Sequence, residues 1–355
     1  MKITLISPYP DITAFGIRTI SAYLKEHGHK TQFIFLPDPY GDNLIFGLKR
    51  YDDSALDDLI SLCRDSDLIG ITLMTNFYEG AVQITKKLKP GLKTPIMWGG
   101  IHPTIRQEES LEHADIVCVG DGEEAILELV TRMGKAEPYT DIRNLGFKKN
   151  GTVIKNPPRS LPHNLDIYPI PDYSLDDQHI MYEGKIRPLT YDLMKTYLEN
   201  GTVSQYLRKI GYQTMTDRGC PHKCSYCNIS NQKEMYDEMG SKYFRARSVE
   251  NFINELLEIK EMFPFIEAIQ FFDDTFFARP VHEIEEFSRG YKEKVGLPFY
   301  CQGSPNTITE RKMECLVNAG MVYVEMGIQT GSERIKKLYN RNESNEKIIK
   351  ATELI

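Results

Sequence analysis

Residues 212–228 read YQTMTDRGCPHKCSYCN, a short strand-like run followed at once by three cysteines, Cys220, Cys224 and Cys227. The spacing CxxxCxxC supplies three thiolates from one loop. An iron–sulfur cube held by three cysteines keeps one iron without a protein ligand, and chemistry can happen at that open iron. Zinc sites usually draw four ligands from two separated pairs. Here there is one triplet, and His222 lies so close to its neighbours in the loop that Cys3His ligation is awkward. Four-cysteine ferredoxin spacings do not match either. Zinc and plain core cysteines remain the alternatives to a cluster.

Outward from this loop, short apolar runs alternate with amphipathic ones. Strands are expected at 212–216, 268–272, 299–302 and 322–326, and helices at 249–262, 281–295, 309–319, 333–339 and 345–355, with Ser248 capping the first. Four βα units make an incomplete barrel with an exposed parallel edge, so the expectation is a truncated chain or a last strand covered by something else. The first 140 residues show the same alternation, with strands at 2–7, 31–36, 68–74, 95–98 and 116–119 and helices at 17–27, 56–64, 78–88 and 123–133. That pattern predicts a doubly wound parallel sheet covered on both faces, which handles ligands at the carboxyl ends of its strands. Between the halves, residues 145–175 read as a hairpin turning at Asn150-Gly151 and then a proline-rich stretch. The expected fold class is therefore α/β, a Rossmann-like domain at 1–140, a linker at 141–205 and a partial (βα) barrel at 206–355.

With 43 basic and 50 acidic residues the net charge is −7, and no basic patch suggests nucleic acid. No run approaches the ~20 apolar residues of a membrane span, and the start MKITLISPYP reads as a strand rather than a signal peptide. A soluble, cytoplasmic protein is expected. The other four cysteines, Cys63, Cys118, Cys301 and Cys315, lack metal-ligand spacing and read as reduced core residues.

The second half resembles the radical S-adenosylmethionine (SAM) superfamily: the loop follows the first strand of a βα repeat, and aromatic Tyr226 precedes the last cysteine, as in the pattern CxxxCxΦC. The resemblance implies a [4Fe-4S] cluster on Cys220, Cys224 and Cys227 whose free iron chelates SAM, and reductive cleavage to a 5′-deoxyadenosyl radical. Where relatives hold the SAM amino group at the end of the second strand, this chain has FFDDTFF, so Asp273 and Asp274 are the implied carboxylates. Adjacent strand residues face opposite sides, so one of the two is expected to point inward, and either can instead cap a helix. Gln302 and Ser304 at the third strand end, and Glu325, Gln329 and Ser332 around the fourth, are further SAM candidates by position. Arg341 is a candidate for the SAM carboxylate, with an exposed arginine as the plainer reading.

The first half resembles cobalamin-binding domains, which carry DxHxxG, an SxL-like segment and GG after successive strands. Here stand Asp11, Thr13 and Gly16 in DITAFG, then Thr72-Leu73-Met74, then Gly99-Gly100, with Gly120 and Gly122 in VGDGEEA opening a helix. Thr13 replaces the histidine that would coordinate cobalt, so cobalamin is expected without a protein nitrogen below it. Cobalamin-dependent radical SAM enzymes commonly lack that histidine. His102, two residues after the glycine pair, faces the corrin edge or is an ordinary loop histidine. The whole resembles a cobalamin-dependent radical SAM enzyme, which implies methyl transfer to an unactivated carbon or phosphorus centre of a small molecule, with flavodoxin or ferredoxin as reductant. A cyclase or rearrangement enzyme using the same cofactors, or a sensor without turnover, is the alternative.

Overall fold

The computed structural model describes residues 1–9, 12–37, 51–149 and 151–355. They form two compact units, Met1–Arg159 with Pro169–Met194, and Ser160–Tyr168 with Lys195–Ile355.

In the first unit five apolar strands, β1 (Lys2–Ser7), β2 (Lys30–Phe35), β3 (Leu68–Thr72), β4 (Ile96–Gly99) and β5 (Ile116–Cys118), lie parallel in the order 5-4-3-1-2. Their near-continuous burial is what a sheet covered on both faces requires. The connection out of β1 runs to β2 on one side and that out of β3 runs to β4 on the other, so the carboxyl edge opens between β1 and β3. One core gathers Ile6, Ile34, Ile69, Ile71 and Trp98, whose indole N–H donates to Thr85 Oγ1 at 3.0 Å.

The segment expected to be a linker contributes strands to this sheet instead. β6 (Leu145–Lys149) and β7 (Thr152–Lys155) form the expected hairpin, joined antiparallel to β5; Asn150 in its turn lies outside the described residues. β8 (Gln178–Tyr182) runs parallel to β2 and carries β9 (Lys185–Pro188) antiparallel on its far side. Two short hairpins thus close both flanks of the parallel sheet, where bare edges would invite pairing with other chains. Arg18 ties the returning segment down: its buried guanidinium donates to the carbonyls of Ile12 and Asp172, both at 2.6 Å, and its Cζ lies 4.1 Å from the ring centre of Tyr173. A buried cation holds there because carbonyl acceptors and aromatic rings replace its water.

The second unit follows the alternation read from the sequence. β10 (Gly211–Thr214) leads to a short antiparallel pair, β11 (Asp217–Arg218) with β12 (Arg245–Ala246), and then β13 (Ala268–Phe271), β14 (Phe299–Gly303) and β15 (Met321–Met326) complete a parallel sheet in the order 10-13-14-15. Helix Val249–Met262 starts behind Ser248, whose side chain accepts from the Asn251 amide. Odd positions such as Phe271 and Phe299 pack with Phe252, Phe287 and Tyr291 of the covering helices. Gln213 bonded to Gln270, and Gln302 bonded to Glu325, lie on the face opposite to Phe271 and Phe299. Among the described residues no strand pairs with the outer side of β15, and no helix is long and apolar enough to cross a membrane.

Candidate functional site

The cysteine loop leaves β11 through Gly219, whose φ of 91° and whose approach to Tyr243 (2.8 Å from where a Cβ would stand) admit only glycine comfortably. Cys220, Cys224 and Cys227 follow as free, half-buried thiols. The Cys227 amide donates to Cys224 O at 3.0 Å, folding the loop back on itself. Cys227 is the N-cap of helix Asn228–Asp237, a helix the sequence did not announce because only Tyr236 on it is buried.

Burial pushes Cys220 up to about 11, with Asp274 and the other two cysteines adding to the shift; burial also raises Cys227, against the pull of the Ile229 and Ser230 amides. Cys220 and Cys227 therefore rest protonated, and a metal must displace their protons to bind. Among the described residues no three His, Cys, Asp or Glu side chains converge on a point that suits one metal ion. A cube asks for something else, because each thiolate ligates a different iron. The soft, clustered, half-buried donor set fits a cluster held by three cysteines.

The two acids after β13 have separate jobs. Asp273 is fully buried, and its carboxylate accepts from the Thr216 amide (2.5 Å), the Asp217 amide (2.7 Å) and Thr216 Oγ1 (2.9 Å). It fixes the chain between β10 and β11 and is not available to a ligand. Asp274 reaches solvent and has no hydrogen-bond partner among the described residues, yet the protein around it and the neighbouring Asp273 push its pKa up to about 6. Its charge is felt by Cys220 and Cys227. Asp217 completes the group: it is buried beside Asp273, and burial together with Asp273 raises its pKa well above the usual carboxylate range. Burial raises Asp273 too, but Arg279 and the three donors oppose it. Asp217 is the member of the pair that keeps the proton.

A segment more than 110 residues downstream clasps the cysteine loop. Ser225 Oγ donates to Leu338 O at 2.7 Å, the Ser225 amide to Tyr339 O at 3.0 Å, and Asn340 Nδ2 to Lys223 O at 2.7 Å. Tyr226 meets the ring of Tyr339 edge-on and accepts from Arg341 at 3.0 Å. His222 Nε2 pairs with Ser304 Oγ at 2.8 Å, so the imidazole is tied to the end of β14. A cavity of about 270 Å³ opens here among Pro221, His222, Cys224, Asn306, Arg341 and Glu343. Of the other positional candidates, Gln302 and Glu325 bond to each other at 2.9 Å, while Gln329 is exposed in a left-handed turn conformation and Ser332 is exposed ahead of helix Glu333–Leu338. Sequence reasoning missed Asp217, Ser225 and Asn340; the first two carry only the signal of polarity inside or beside a cysteine loop, and Asn340, 117 residues from its partner Lys223, carries none.

In the first unit the carboxyl edge gathers most of the other set. Thr13 is buried after β1, Thr72 Oγ1 bonds Tyr9 OH at 3.1 Å at the end of β3, Met74 packs on the core, and Gly99-Gly100 end β4. Asp11 lies outside the described residues. Gly100 has φ 105°, and a Cβ there would stand 2.8 Å from Leu73 O, so its glycine is demanded by the fold itself. Gly122 is likewise a packing position against Ile126 and Ile20, Gly16 faces open space, and the Gly120 amide is taken by Thr104 Oγ1 at 3.0 Å. His102 is buried, bonded to Thr75 Oγ1 at 3.2 Å and packed on Tyr78, which makes it a structural histidine. Thr13, Thr72, Met74, Gly99 and Gly100 are small or uncharged, which fits a flat macrocycle, and Thr13 offers no nitrogen ligand.

Two family descriptions match the chain: the radical SAM superfamily over residues 216–355 and the B12 binding domain over residues 1–130. An uncharacterized methyltransferase of Pyrococcus horikoshii is 28% identical over 306 residues, 84% of this chain and 60% of that protein. Among solved structures, the radical SAM methyltransferase TsrM of Kitasatospora setae, with tryptophan substrate and a SAM analogue bound, superposes with a TM-score of 0.74 at 15% identity, over 99% of this chain and 65% of that one. The cobalamin-dependent SAM radical enzyme OxsB, with aqua-cobalamin and SAM bound, gives 0.72 at 17% identity, over 99% and 47%. The chain thus spans about three fifths of the curated relative's length, and the two structures establish likeness of fold.

Proposed function

We propose that this chain, which belongs to the radical SAM superfamily and carries a B12-binding domain, works as a cobalamin-dependent methyltransferase acting on an unactivated carbon or phosphorus centre of a small molecule. The observation that carries the reading is a loop of three free thiols, Cys220, Cys224 and Cys227, together with Asp274, a carboxylate with no hydrogen-bond partner among the described residues, whose charge raises the pKa of Cys220 and Cys227.

When bound, the [4Fe-4S] cluster supplies the electron that opens a carbon–sulfur bond of SAM, and cobalamin carries the methyl group. Cys220, Cys224 and Cys227 hold the cluster as thiolates after giving up their protons. Asp274 accepts from the ammonium group of SAM, and Asp273, by anchoring the backbone beside it, keeps that carboxylate in place. Thr13, Thr72, Met74 and Gly99 would floor the corrin site without a nitrogen ligand, and Gly100 would hold the turn after β4 beside them. Ser304 fixes His222, which steadies the cysteine loop from the β14 side. A low-potential protein such as flavodoxin or ferredoxin delivers the electron.

The test is anaerobic reconstitution with iron, sulfide, cobalamin, SAM and reductant, followed by product analysis with candidate small molecules. A methylated product formed together with S-adenosylhomocysteine supports the proposal. Formation of 5′-deoxyadenosine without methylation points to a rearrangement or cyclisation, and a protein that takes up a cluster but no corrin loses the cobalamin half of the reading.

A further inference from the structure

Arg341 reads from the sequence as an exposed residue or a ligand for the SAM carboxylate, and its surroundings fit neither. Its side chain is 8% exposed and that of Glu343 is 5% exposed. A guanidinium carries five N–H donors, and here they are engaged. Nε and Nη2 meet Glu343, Nη2 also donates to Gly327 O at 2.9 Å, and Nη1 donates to Tyr226 OH at 3.0 Å and lies 3.8 Å from Cys224 Sγ. No donor is left for a substrate carboxylate. The cation is instead built into the wall of the cysteine loop, with its charge aimed at one sulfur and balanced by a buried acid behind it.

We propose that Arg341 is a positioning residue that sets the reduction potential of the cluster through Cys224, with Glu343 as its counterweight. This rests on the cluster reading above. A donor to a ligating sulfur draws electron density from it, and a nearby cation favours the state with one more electron. Both effects raise the potential, and both act strongly here because water is largely excluded from the pair. The guanidinium stays charged at every working pH. Asp274 bears on the other two thiols with the opposite sign. Of the two charges, the cation is the one placed in contact with a cluster sulfur, at Cys224.

The experiment is a redox titration of the reconstituted full chain, followed by the electron paramagnetic resonance signal of the reduced cluster, without SAM or substrate and with iron content measured for each variant. Arg341→Gln removes the charge and should cut the reduced-to-oxidised ratio at a fixed poise about tenfold, a downward shift of ~59 mV for a one-electron couple. Glu343→Gln leaves the guanidinium unbalanced and should move the midpoint upward. Arg341→Lys keeps the charge without the fork and should fall between wild type and Arg341→Gln. Opposite signs for the Arg341→Gln and Glu343→Gln variants are the signature, because simple loosening of the loop would move both the same way. Equal or same-direction midpoints overturn the proposal. Should Arg341→Gln fail to hold iron, Arg341→Lys and Glu343→Gln decide it on the same criterion. A wild-type chain that takes up no cluster overturns the cluster assignment itself, whereas a normal wild-type cluster with unmoved variants overturns only the role of Arg341.

Discussion

The Asp273 carboxylate accepts the Thr216 amide at 2.5 Å, and Asp217 and the Thr216 hydroxyl supply two more donors to it. Asp274, one residue on, has none among the described residues. Two identical letters in the sequence thus belong to different tasks, because alternate side chains leave a strand end in opposite directions. One acid holds the entry to the cysteine loop, and the other is open to a ligand.

Substituting the two acids should therefore separate stability from binding. Asp273→Asn replaces an acceptor by an amide N–H₂ facing donors and should lower unfolding stability by about 1–3 kcal/mol in urea titrations. Asp274→Asn should leave that stability unchanged or raise it at neutral pH, since burial and Asp273 raise the Asp274 pKa, while weakening SAM binding to the reconstituted protein at least tenfold, or ~1.4 kcal/mol, by calorimetry. The reverse pattern would reassign the pair.

Asp217 should govern part of the pH dependence of folding. Its pKa is raised in the folded state by burial and by Asp273, whereas in the unfolded chain it is about 3.9. Below roughly pH 4 both states are protonated and the group has no influence. Above that, the unfolded chain releases a proton that the folded chain retains, so stability falls as pH rises toward the folded value. Asp217→Asn should flatten this decline, and its advantage over wild type should grow from pH 4 to pH 8 in thermal unfolding. An advantage that shrinks with pH would place the proton elsewhere.

Loosening the clasp should shorten the lifetime of a bound cluster. Ser225→Ala removes the hydroxyl contact to Leu338 O, and Asn340→Ala removes the contact to Lys223 O. Each hydrogen bond contributes about 0.5–1.5 kcal/mol net, so either variant should lose iron to a chelator a few-fold to about tenfold faster than wild type under anaerobic conditions. Unchanged release rates would mean that the cysteines alone hold the loop.

Gly100→Ala should destabilise the first unit whether or not cobalamin is bound. The added methyl meets Leu73 O at 2.8 Å in a backbone conformation of φ 105°, and such strain costs about 1–3 kcal/mol. Differential scanning calorimetry of the apo protein reads it directly. A loss seen only in cobalamin affinity would instead mark this glycine as a ligand contact.

The strand and helix alternation was readable wherever burial was complete. Helix Val249–Met262 and strand Lys2–Ser7 fall on their expected bounds because apolar spacing and, for the helix, the Ser248 cap act locally. β8 and β9 were not readable: QHIMY and KIRP carry polar and proline residues, and they become strands because β8 pairs with the edge of β2, far away in sequence, and β9 then pairs with β8. Helix Asn228–Asp237 was hidden by its polarity. The cysteines, being a local pattern, were found. The clasp was not, since the partners of Ser225 and Arg341 lie 113 and 117 residues off and no periodicity links them.

That separation also sets an order of events during synthesis. At about 5–20 residues per second on the ribosome, Cys224 emerges roughly 6–25 seconds before Arg341, and for that interval the three thiols have neither their latch nor their counter-charge. Iron delivered to the nascent chain would meet an unformed nest. Maturation of this protein belongs after the downstream segment has been made, and a chain stalled ahead of residue 338 would be a poor acceptor for any iron–sulfur carrier.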